Sequence, residues 1–424
     1  MDFNTLLIRL GIDPGNFVNK DSEPIKEGNT FIYPATQRTD VRECPNCHSS
    51  DAEVHSHQTV EIECSETDFA RDVLRITKTR FLCRSCGRTF TMPVSGVARY
   101  ATISAQKRMA MMNDFTKPMT FQQIADRYGI SESYAIRLFD ASVRSVPRRP
   151  MPRILCIDEV RYSDNENEKY ACVLYDFLAR EVVDVIRSRQ MPYLREYFGS
   201  IPEKERLRVE YFVSDMYDAY ATVRASYFPR AVHIVDLFHV VEQLTNAVNR
   251  IRTRVMNTEA GEGSMERNFM KSRWPLFLCR TEKIPDKYYT SKRTGESAHY
   301  DEMVWRCVRL DPGLWEAENR LQELLHYQRY ATFDEALRFV ERVAKSLTDS
   351  PCEILKSVGR TYRHWRAEIA NGLATSQNGA RITNGIAEAI NNVIKTIIKS
   401  AYGYRNFERF RKRVMLIVTY SKKG

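Results

Sequence analysis

The chain has no run of about 18 uncharged apolar residues, so its sequence contains no candidate for a membrane-spanning helix. Its first residues, MDFNTLLIRL, also lack the pattern of a signal peptide. Acidic residues are fewer than basic ones, 54 against 64, which gives a formal net charge of +10. We therefore expect a cytoplasmic protein without membrane contact, whose partner is a polyanion such as nucleic acid.

The length of 424 residues exceeds what one hydrophobic core usually organises, so two or three domains are expected. Hydrophobic residues make up 43% of the chain, which is enough for well-packed interiors. We find neither an internal repeat nor a low-complexity tract. These features predict a multidomain globular protein.

The ten cysteines are expected to be thiols or metal ligands, because cytoplasmic proteins rarely keep disulfides. Four of them form two C-x2-C pairs, Cys44 with Cys47 and Cys83 with Cys86. Between the pairs, residues 54–64 and 73–83 alternate in polarity as strands do. The pattern predicts a zinc ribbon with a structural Zn²⁺ on these four thiolates. The alternatives are thiols without metal, or replacement of one ligand by His48, His55, His57 or Cys64.

Residues 120–142, TFQQIADRYGISESYAIRLFDAS, have the capping and turn residues expected of a helix-turn-helix motif. Thr120 and Ser131 are predicted to cap the two helices, and Gly129 lies in the turn between them. Any amphipathic helical hairpin would look similar. In a DNA-binding motif, the start of the second helix meets base edges. The residues predicted there are Glu132, Ser133 and Arg137.

The segment 144–153, RSVPRRPMPR, is rich in proline and arginine and is predicted to be an extended linker. Its Arg148 and Arg149 are expected to follow a phosphate backbone. Downstream, three β-rich runs over 153–189 predict an antiparallel meander, followed by αβαβα. That order is the one found in ribonuclease-H-like domains. Residues 256–380 have a helical pattern and hold all four tryptophans, which we interpret as core residues.

Three acids are candidates for catalysis. Asp158 ends the predicted strand ILCID and Asp215 ends YFVSD, where ligands gather in α/β sheets, although either could simply cap a loop. Glu388 lies on a later helix. If that helix packs beside the strands, three carboxylates can hold two divalent cations for in-line displacement at phosphorus. Oxygen ligands favour Mg²⁺ or Mn²⁺.

The helix carrying Glu388 is amphipathic, and Thr383 or Asn384 is predicted to cap its start. Its apolar stripe comprises Ile386, Ile390, Val393, Ile394 and Ile397. Its other face is predicted to meet DNA phosphates, as is Arg405 in the basic run that follows. The residues of that face are Glu388, Asn391, Asn392, Lys395 and Lys399. A solvated basic tail is the alternative for residues 395–424.

The set CIDE, YACVLYDF, VEYFVSDMYDAY, HIVDLFHVV and RITNGIAEAINNVIKTIIKSAYGYRNFERFRKRV resembles the DDE transposases of bacterial insertion sequences, ISL-three type. The resemblance covers nearly the whole chain. It implies that Asp158, Asp215 and Glu388 are the metal ligands, with a long helical insertion before Glu388. The D-x-F-H segment of the family falls on Asp236 and His239. His239 could orient a phosphate or a ligand carboxylate, or be a packed helix residue.

The resemblance also implies the reaction. Water attacks a phosphodiester at the end of the element, and the 3′-OH released then attacks target DNA. Because two ends of double-stranded DNA must be held together, the resemblance also implies a homodimer. The expected location is the bacterial nucleoid. The alternatives are a DNA-binding regulator with an inert nuclease domain, or a junction-resolving nuclease.

These features predict an α/β protein with a ribonuclease-H-like catalytic domain, a large helical insertion, a zinc ribbon and a helix-turn-helix domain. The predicted segments are an N-terminal segment without firm structure (1–40), the zinc ribbon (41–95), the helix-turn-helix domain (96–143), the basic linker (144–153), the catalytic core (154–255), the helical insertion (256–380), and the catalytic helix with a basic tail (381–424).

Overall fold

The computed structural model divides the chain into two compact units. The first comprises Met1–Val146 with Thr396–Gly424, and the second comprises Pro147–Lys395. One boundary falls inside the predicted linker, and the other falls inside the helix that carries Glu388. The residues described are 2–18, 23–40, 43–67, 70–94, 97, 102–165, 168–327, 332–377, 380–382, 385–401 and 404–420.

The described residues of the N-terminal segment, 2–18 and 23–40, are folded, in contrast to the prediction. Helix α1 spans Phe3–Arg9, and strands β1 and β2 span Ile25–Glu27 and Thr30–Thr36. The helix buries Phe3, Leu6 and Leu7 in a core shared with the first sheet. The spacing of these apolar residues at three and four positions explains why a segment of polar composition nevertheless packs.

The first sheet contains a long antiparallel pair, as the alternating stretches predicted. Strand β3 spans Ala52–Thr67, β4 spans Ala70–Cys83, and β5 spans Thr89–Thr91. The order is β1-β2-β4-β3, with β5 also on β4. Strand β2 pairs with β4 in parallel, and the other pairs are antiparallel. The two C-x2-C pairs lie at the same end of β3 and β4.

Three helices complete the N-terminal part. Helix α2 spans Ala105–Asp114, α3 spans Phe121–Tyr128 and α4 spans Glu132–Ser142. The predicted caps are confirmed, because Thr120 accepts from the backbone of Gln123 and Ser131 from that of Tyr134. Gly129 ends α3 in the left-handed conformation at φ +60°, where a side chain would be strained.

The second unit begins with a five-stranded mixed sheet. The strands are β6 (Ile154–Arg161), β7 (Tyr170–Asp176), β8 (Glu181–Ile186), β9 (Tyr211–Ser214) and β10 (Val232–Val235). Their order is β10-β9-β6-β7-β8, with β6, β7 and β8 antiparallel, and with β9 parallel to both β6 and β10. The predicted meander followed by αβαβα is confirmed.

Helices surround this sheet and fill the rest of the unit. Those between the strands are α5 (Met191–Gly199), α6 (Glu203–Arg206) and α7 (Asp218–Tyr227). The long α8 spans Leu237–Thr258. Then follow α9 (Met265–Ser272), α10 (Tyr300–Val308), α11 (Pro312–His326), α12 (Phe333–Asp349), α13 (Glu353–His364) and α14 (Arg366–Ala374). One apolar core runs from Val235 on β10 to Leu373 on α14, so α8 packs with the helices that follow it.

Residues 256–380 are mostly helical but also contain strands, which the prediction missed. They are β11 (Tyr288–Thr290) with β12 (Ser297–His299), and β13 (Ser376–Gln377), which pairs with β14 (Ala380–Arg381). Within the described part of the chain, no helix is long and apolar enough to cross a lipid bilayer.

The prediction that all four tryptophans are core residues is wrong for three of them. Trp365 is buried, but Trp305 and Trp315 expose 54% and 50% of their surface, and Trp274 exposes 45%. On α10 the buried stripe runs through Met303, Val304, Cys307 and Val308, which leaves Trp305 on the solvent side. Aromatic type therefore did not indicate burial in this region.

Two C-terminal helices end the described chain, α15 (Gly385–Ser400) and α16 (Phe407–Tyr420). The predicted caps of α15, Thr383 and Asn384, lie outside the described residues. Within the first unit, α16 packs on the α2–α4 helices through Leu416. Arg413 is buried and donates to the carbonyls of Phe115, Lys117 and Met119, and Arg409 pairs with Asp140. These arginines are therefore structural and do not form the solvated or phosphate-binding tail that was predicted.

Candidate active site

Asp158 and Asp215 lie side by side because of the register of two parallel strands. Strand β6 pairs with β9 as Ile154 with Tyr211 and Cys156 with Val213. If this register continues for two more residues, it sets Asp215 beside Asp158 on the same face of the sheet. Both residues are partly buried, and they form one candidate cation-binding group.

His239 joins these two acids from the start of α8. Asp236 follows β10, and its side chain accepts from the backbone of Phe238, so it caps the helix. The cap sets the first turn, where His239 Nε2 lies 2.8 Å from Asp215 Oδ1. The other ring nitrogen, Nδ1, lies 3.1 Å from Glu242 Oε2. His239 thus contacts two carboxylates and is not a packed apolar-face residue.

Helix α15 also contacts this pair of acids. Asn391 Nδ2 donates to Asp158 Oδ2 at 2.7 Å, and the hydroxyl of Tyr175 donates to Asn391 Oδ1. Asn391 is buried, with 4% of its surface exposed, so its predicted contact with DNA does not fit this position. Glu388 precedes Asn391 by one helical turn, about 60° around the axis, and is exposed.

The electrostatics of the site favour a bound cation. Burial, and then the nearby carboxylate of Asp215, raise the pKa of Asp158 to about 7. Burial on its own would lower the pKa of His239, but the ion pair with Asp215 outweighs it and raises that pKa to about 9. A pair of adjacent carboxylates is stabilised by positive charge, which the imidazolium supplies in part.

The donor set fits a divalent cation. The ligand atoms of Asp158, Asp215 and His239 lie within 4.8 Å of one another. Asp215 Oδ1 is buried, and no donor among the described residues is aligned to hydrogen bond with it, although His239 is close. A cation bound here would compete with the His239 imidazole for this oxygen. Two carboxylates suit Mg²⁺ or Mn²⁺. Glu388 is not a member of this group in the structure.

Further contacts, which the sequence did not indicate, lie beside Asp158. The backbone N–H of Glu159 donates to Asp158 Oδ1 at 2.7 Å. The Glu159 side chain accepts from the Tyr220 hydroxyl and from Arg189, at 2.8 Å each. The Arg189 guanidinium lies over the rings of Tyr170 and Tyr217. No local pattern could have indicated this group, since its members are dispersed over 61 positions.

The four predicted cysteine ligands form a separate cluster in the first unit. Cys44 Sγ lies 3.7 Å from Cys86 Sγ, and Cys47 Sγ lies 3.6 Å from Cys83 Sγ. Four sulfurs at about 2.3 Å from a tetrahedral Zn²⁺ are separated by about 3.8 Å, so the spacing fits this ion. The backbone N–H of Arg88 contributes most to lowering the pKa of Cys86, to about 7, which favours a thiolate.

The alternative ligands lie elsewhere. The Cys64 thiol is buried and donates to the carbonyl of Ile62. His48 pairs with Glu43, His55 contacts Ser56, and His57 contacts Thr79. The cluster that fits zinc is therefore the one with four cysteines.

The remaining predicted DNA contacts divide into two groups. Arg148 forms a bidentate pair with Glu205, at 2.6 and 2.9 Å, and Arg149 pairs with Glu181. These two arginines are paired within the protein, and their contact with a phosphate backbone stays a prediction. The exposed residues are Glu132, Ser133, Arg137, Asn392, Lys395, Lys399 and Arg405.

Two comparisons bear on this site. Residues 155–414 match the model of a family described as transposase, that of the DDE enzymes of ISL-three type. The chain is also similar to the transposase for insertion sequence element IS1001 of Bordetella parapertussis. The two are 24% identical over 410 residues, which is 96% of each protein. The matched range contains all three predicted catalytic acids.

Proposed function

Because this chain belongs to the ISL-three type DDE transposases, we propose that it cleaves the ends of its own insertion sequence and joins them to target DNA. In the proposed reaction, water hydrolyses a phosphodiester at each end and leaves a 3′-OH. That hydroxyl then attacks a phosphodiester of the target in line. The similarity to a transposase over nearly the whole length supports the same activity here.

The proposal rests on the position of Asp158 and Asp215, which lie together and are contacted by helix α15. The contact is the hydrogen bond from Asn391 to Asp158, two residues 233 positions apart in the sequence. We infer that Asp158, Asp215 and Glu388 hold Mg²⁺ or Mn²⁺. Bound there, the ions would stabilise the charge that develops on the attacking and leaving oxygens. In this proposal the Glu388 carboxylate turns toward the same cations from one helical turn before Asn391, the residue of α15 that contacts Asp158.

The neighbouring residues have positioning roles in this scheme. Asn391 holds one oxygen of Asp158, and the backbone of Glu159 holds the other. His239 is oriented by Glu242 and faces Asp215, so it fixes that carboxylate. Asp236 caps α8 and thereby places His239. None of these groups is a nucleophile, so no covalent protein–DNA intermediate is expected.

The N-terminal unit is proposed to recognise the terminal inverted repeats. The ribbon would be held by Zn²⁺ on four thiolates, and α3 with α4 would act as a helix-turn-helix motif. Exposed residues at the start of α4 are available for base edges. We further propose a ribonuclease-H-like fold for the sheet of the second unit, and a homodimer that holds two ends at the bacterial nucleoid.

The test is a reaction with a duplex that carries the inverted repeats flanking the gene. With Mg²⁺, the protein should cleave at the terminus and join the product to a second duplex. Asp158→Asn, Asp215→Asn and Glu388→Gln should each abolish both steps while leaving DNA binding intact. Cleavage retained in all three variants would refute the assigned acids. A regulator would bind without cleaving, and a junction nuclease would cut branched DNA of any sequence.

A further inference from the structure

The helical region of the second unit carries a strongly basic stretch that the reaction centre does not use. Residues 271–299, here called the basic hairpin segment, hold seven Lys and Arg against three acids. The segment includes a short 3-10 helix at Trp274–Phe277 and the β11–β12 hairpin. A solvated surface is the simplest interpretation of such a charge run. Whether its charges are paired within the protein distinguishes that interpretation from a binding surface.

All three acids of the segment are paired within the protein. Glu282 contacts His326, Asp286 lies 3.1 Å from His299, and Glu296 lies 2.7 Å from Arg306. The backbone carbonyl of Gln322 and then Glu282 raise the pKa of His326, so this imidazole holds its proton to higher pH than usual. Each acid of the segment therefore has a partner within the protein, and Glu296 is paired with a permanent cation.

The cations of the segment differ from its acids in their ion pairing. All seven are exposed, and among the described residues none of the seven forms an ion pair. Paired acids beside unpaired cations produce a local positive field. Such a field attracts a polyanion, and its strength depends on salt concentration.

Two aromatic side chains are exposed within the same segment. Trp274 exposes 45% of its surface and Tyr288 exposes 63%. Tyr288 is held in place, because its ring lies across the hairpin on that of His299, with centroids 3.9 Å apart. Exposed aromatics interleaved with cations are typical of surfaces that bind nucleic acid, where rings pack on sugars and bases.

We propose that the basic hairpin segment is a second DNA-binding surface, which binds the backbone of double-stranded DNA away from the bond that is cut. Its cations contact phosphates, and Trp274 and Tyr288 pack against the groove edge. This surface reads no sequence, because lysine contacts to phosphates are the same at every base pair. The inference rests on the proposed function, since it gives the insertion a role in holding DNA during transposition.

The test measures the affinity for a fluorescent duplex of arbitrary sequence at several salt concentrations, without divalent cations. The variant is Lys283→Gln with Lys287→Gln and Lys292→Gln. The control, Lys204→Gln with Lys345→Gln and Arg360→Gln, removes the same charge from exposed sites elsewhere in the unit. The slope of log K against log salt should decrease by about 0.9 for each phosphate that is no longer neutralised, hence by about 1 to 3 in the hairpin variant. The control should keep the wild-type slope.

Equal slopes in the hairpin variant, the control and the wild type would overturn the proposal, as would equal decreases in both variants. Trp274→Ala should weaken binding several-fold without changing the slope, and unchanged affinity would remove the aromatic part of the surface. Far-UV circular dichroism checks that each variant is folded. The assay needs no strand cleavage. A negative result would therefore leave the proposed cleavage and joining untouched, and a positive result would hold even if the assigned acids prove wrong.

Discussion

Asn391 and Asp158 are joined by a hydrogen bond of 2.7 Å across 233 positions of sequence. The bond fixes the rotation of α15 against β6, because the same amide also accepts from Tyr175. Glu388 lies one turn earlier on the same helix. The position of the third acid relative to the first is therefore set by a buried amide rather than by the apolar stripe alone.

Replacing Asn391 by Ala should reduce the rate of end cleavage and weaken Mn²⁺ binding by about 10- to 100-fold, the usual cost of losing a group that orients a metal ligand. The free energy of unfolding should also decrease by about 1–3 kcal/mol, since a buried hydroxyl and a carboxylate lose their partner. Asn246→Ala, which truncates an exposed amide on α8, is the control. Equal activity in the two variants would show that Asn391 does not position Asp158.

Stability should decrease as pH rises from about 6.5 to about 9 in buffer without added divalent cations. The folded-state pKa of His239 is raised from 6.5 to about 9, so the folded protein keeps a proton that the unfolded chain releases. The stabilisation is complete below pH 6.5 and is lost as pH rises through the folded value. It amounts to at most about 3 kcal/mol. Chemical denaturation of wild type and His239→Ala measures it, and parallel pH profiles would contradict the assignment.

Arg413 should be essential to the stability of the first unit although it belongs to a basic run. Its guanidinium is buried and donates to three backbone carbonyls near α2 and α3. Arg413→Met leaves these acceptors unpaired and should decrease the free energy of unfolding by about 3 kcal/mol or more. Lys412→Met, at the neighbouring position, should change it by less than about 0.5 kcal/mol. Thermal unfolding of both variants tests the difference.

Zinc content should depend on the four clustered cysteines. Cys44→Ser or Cys83→Ser should lower the bound zinc and impair recognition of the element's ends, because a tetrahedral thiolate site loses a ligand. Cys279→Ser, a partly buried thiol outside the cluster, is the matched control and should keep the zinc of the wild type. Elemental analysis of the purified proteins gives the metal-to-protein ratio. The same ratio in all variants would refute the site.

The sheet and its two acids could be predicted from local pattern. YFVSD is an apolar run ended by an acid, and β9 indeed stops at Ser214, directly before Asp215. ILCID also predicted a strand, but β6 continues past Asp158 to Arg161 because it stays paired with β7, so the prediction that this acid ends its strand is wrong. The helix caps Thr120 and Ser131 were predictable for the same reason, since capping is a local interaction. In each case the determining contacts lie within a few residues.

What could not be predicted depends on distant partners. Asn391 was assigned to the DNA-facing side because it lies off the apolar stripe of its helix, yet two partners within the protein satisfy its amide. Arg409 and Arg413 belong to the same basic run as Arg405, which was predicted to contact phosphates, but their acceptors lie within the protein, more than 260 positions away. Polarity alone does not tell whether a charged side chain meets solvent, DNA or a carbonyl of its own chain.

The central claim is that Asp158, Asp215 and Glu388 bind the same divalent cations. Titration of Mn²⁺, followed by electron paramagnetic resonance of the free ion, tests it without any DNA. We predict that Asp158→Asn, Asp215→Asn and Glu388→Gln each weaken binding by about tenfold or more, while Glu196→Gln, at an exposed glutamate, does not. If Glu388→Gln binds Mn²⁺ as tightly as the wild type, the third acid is not a ligand.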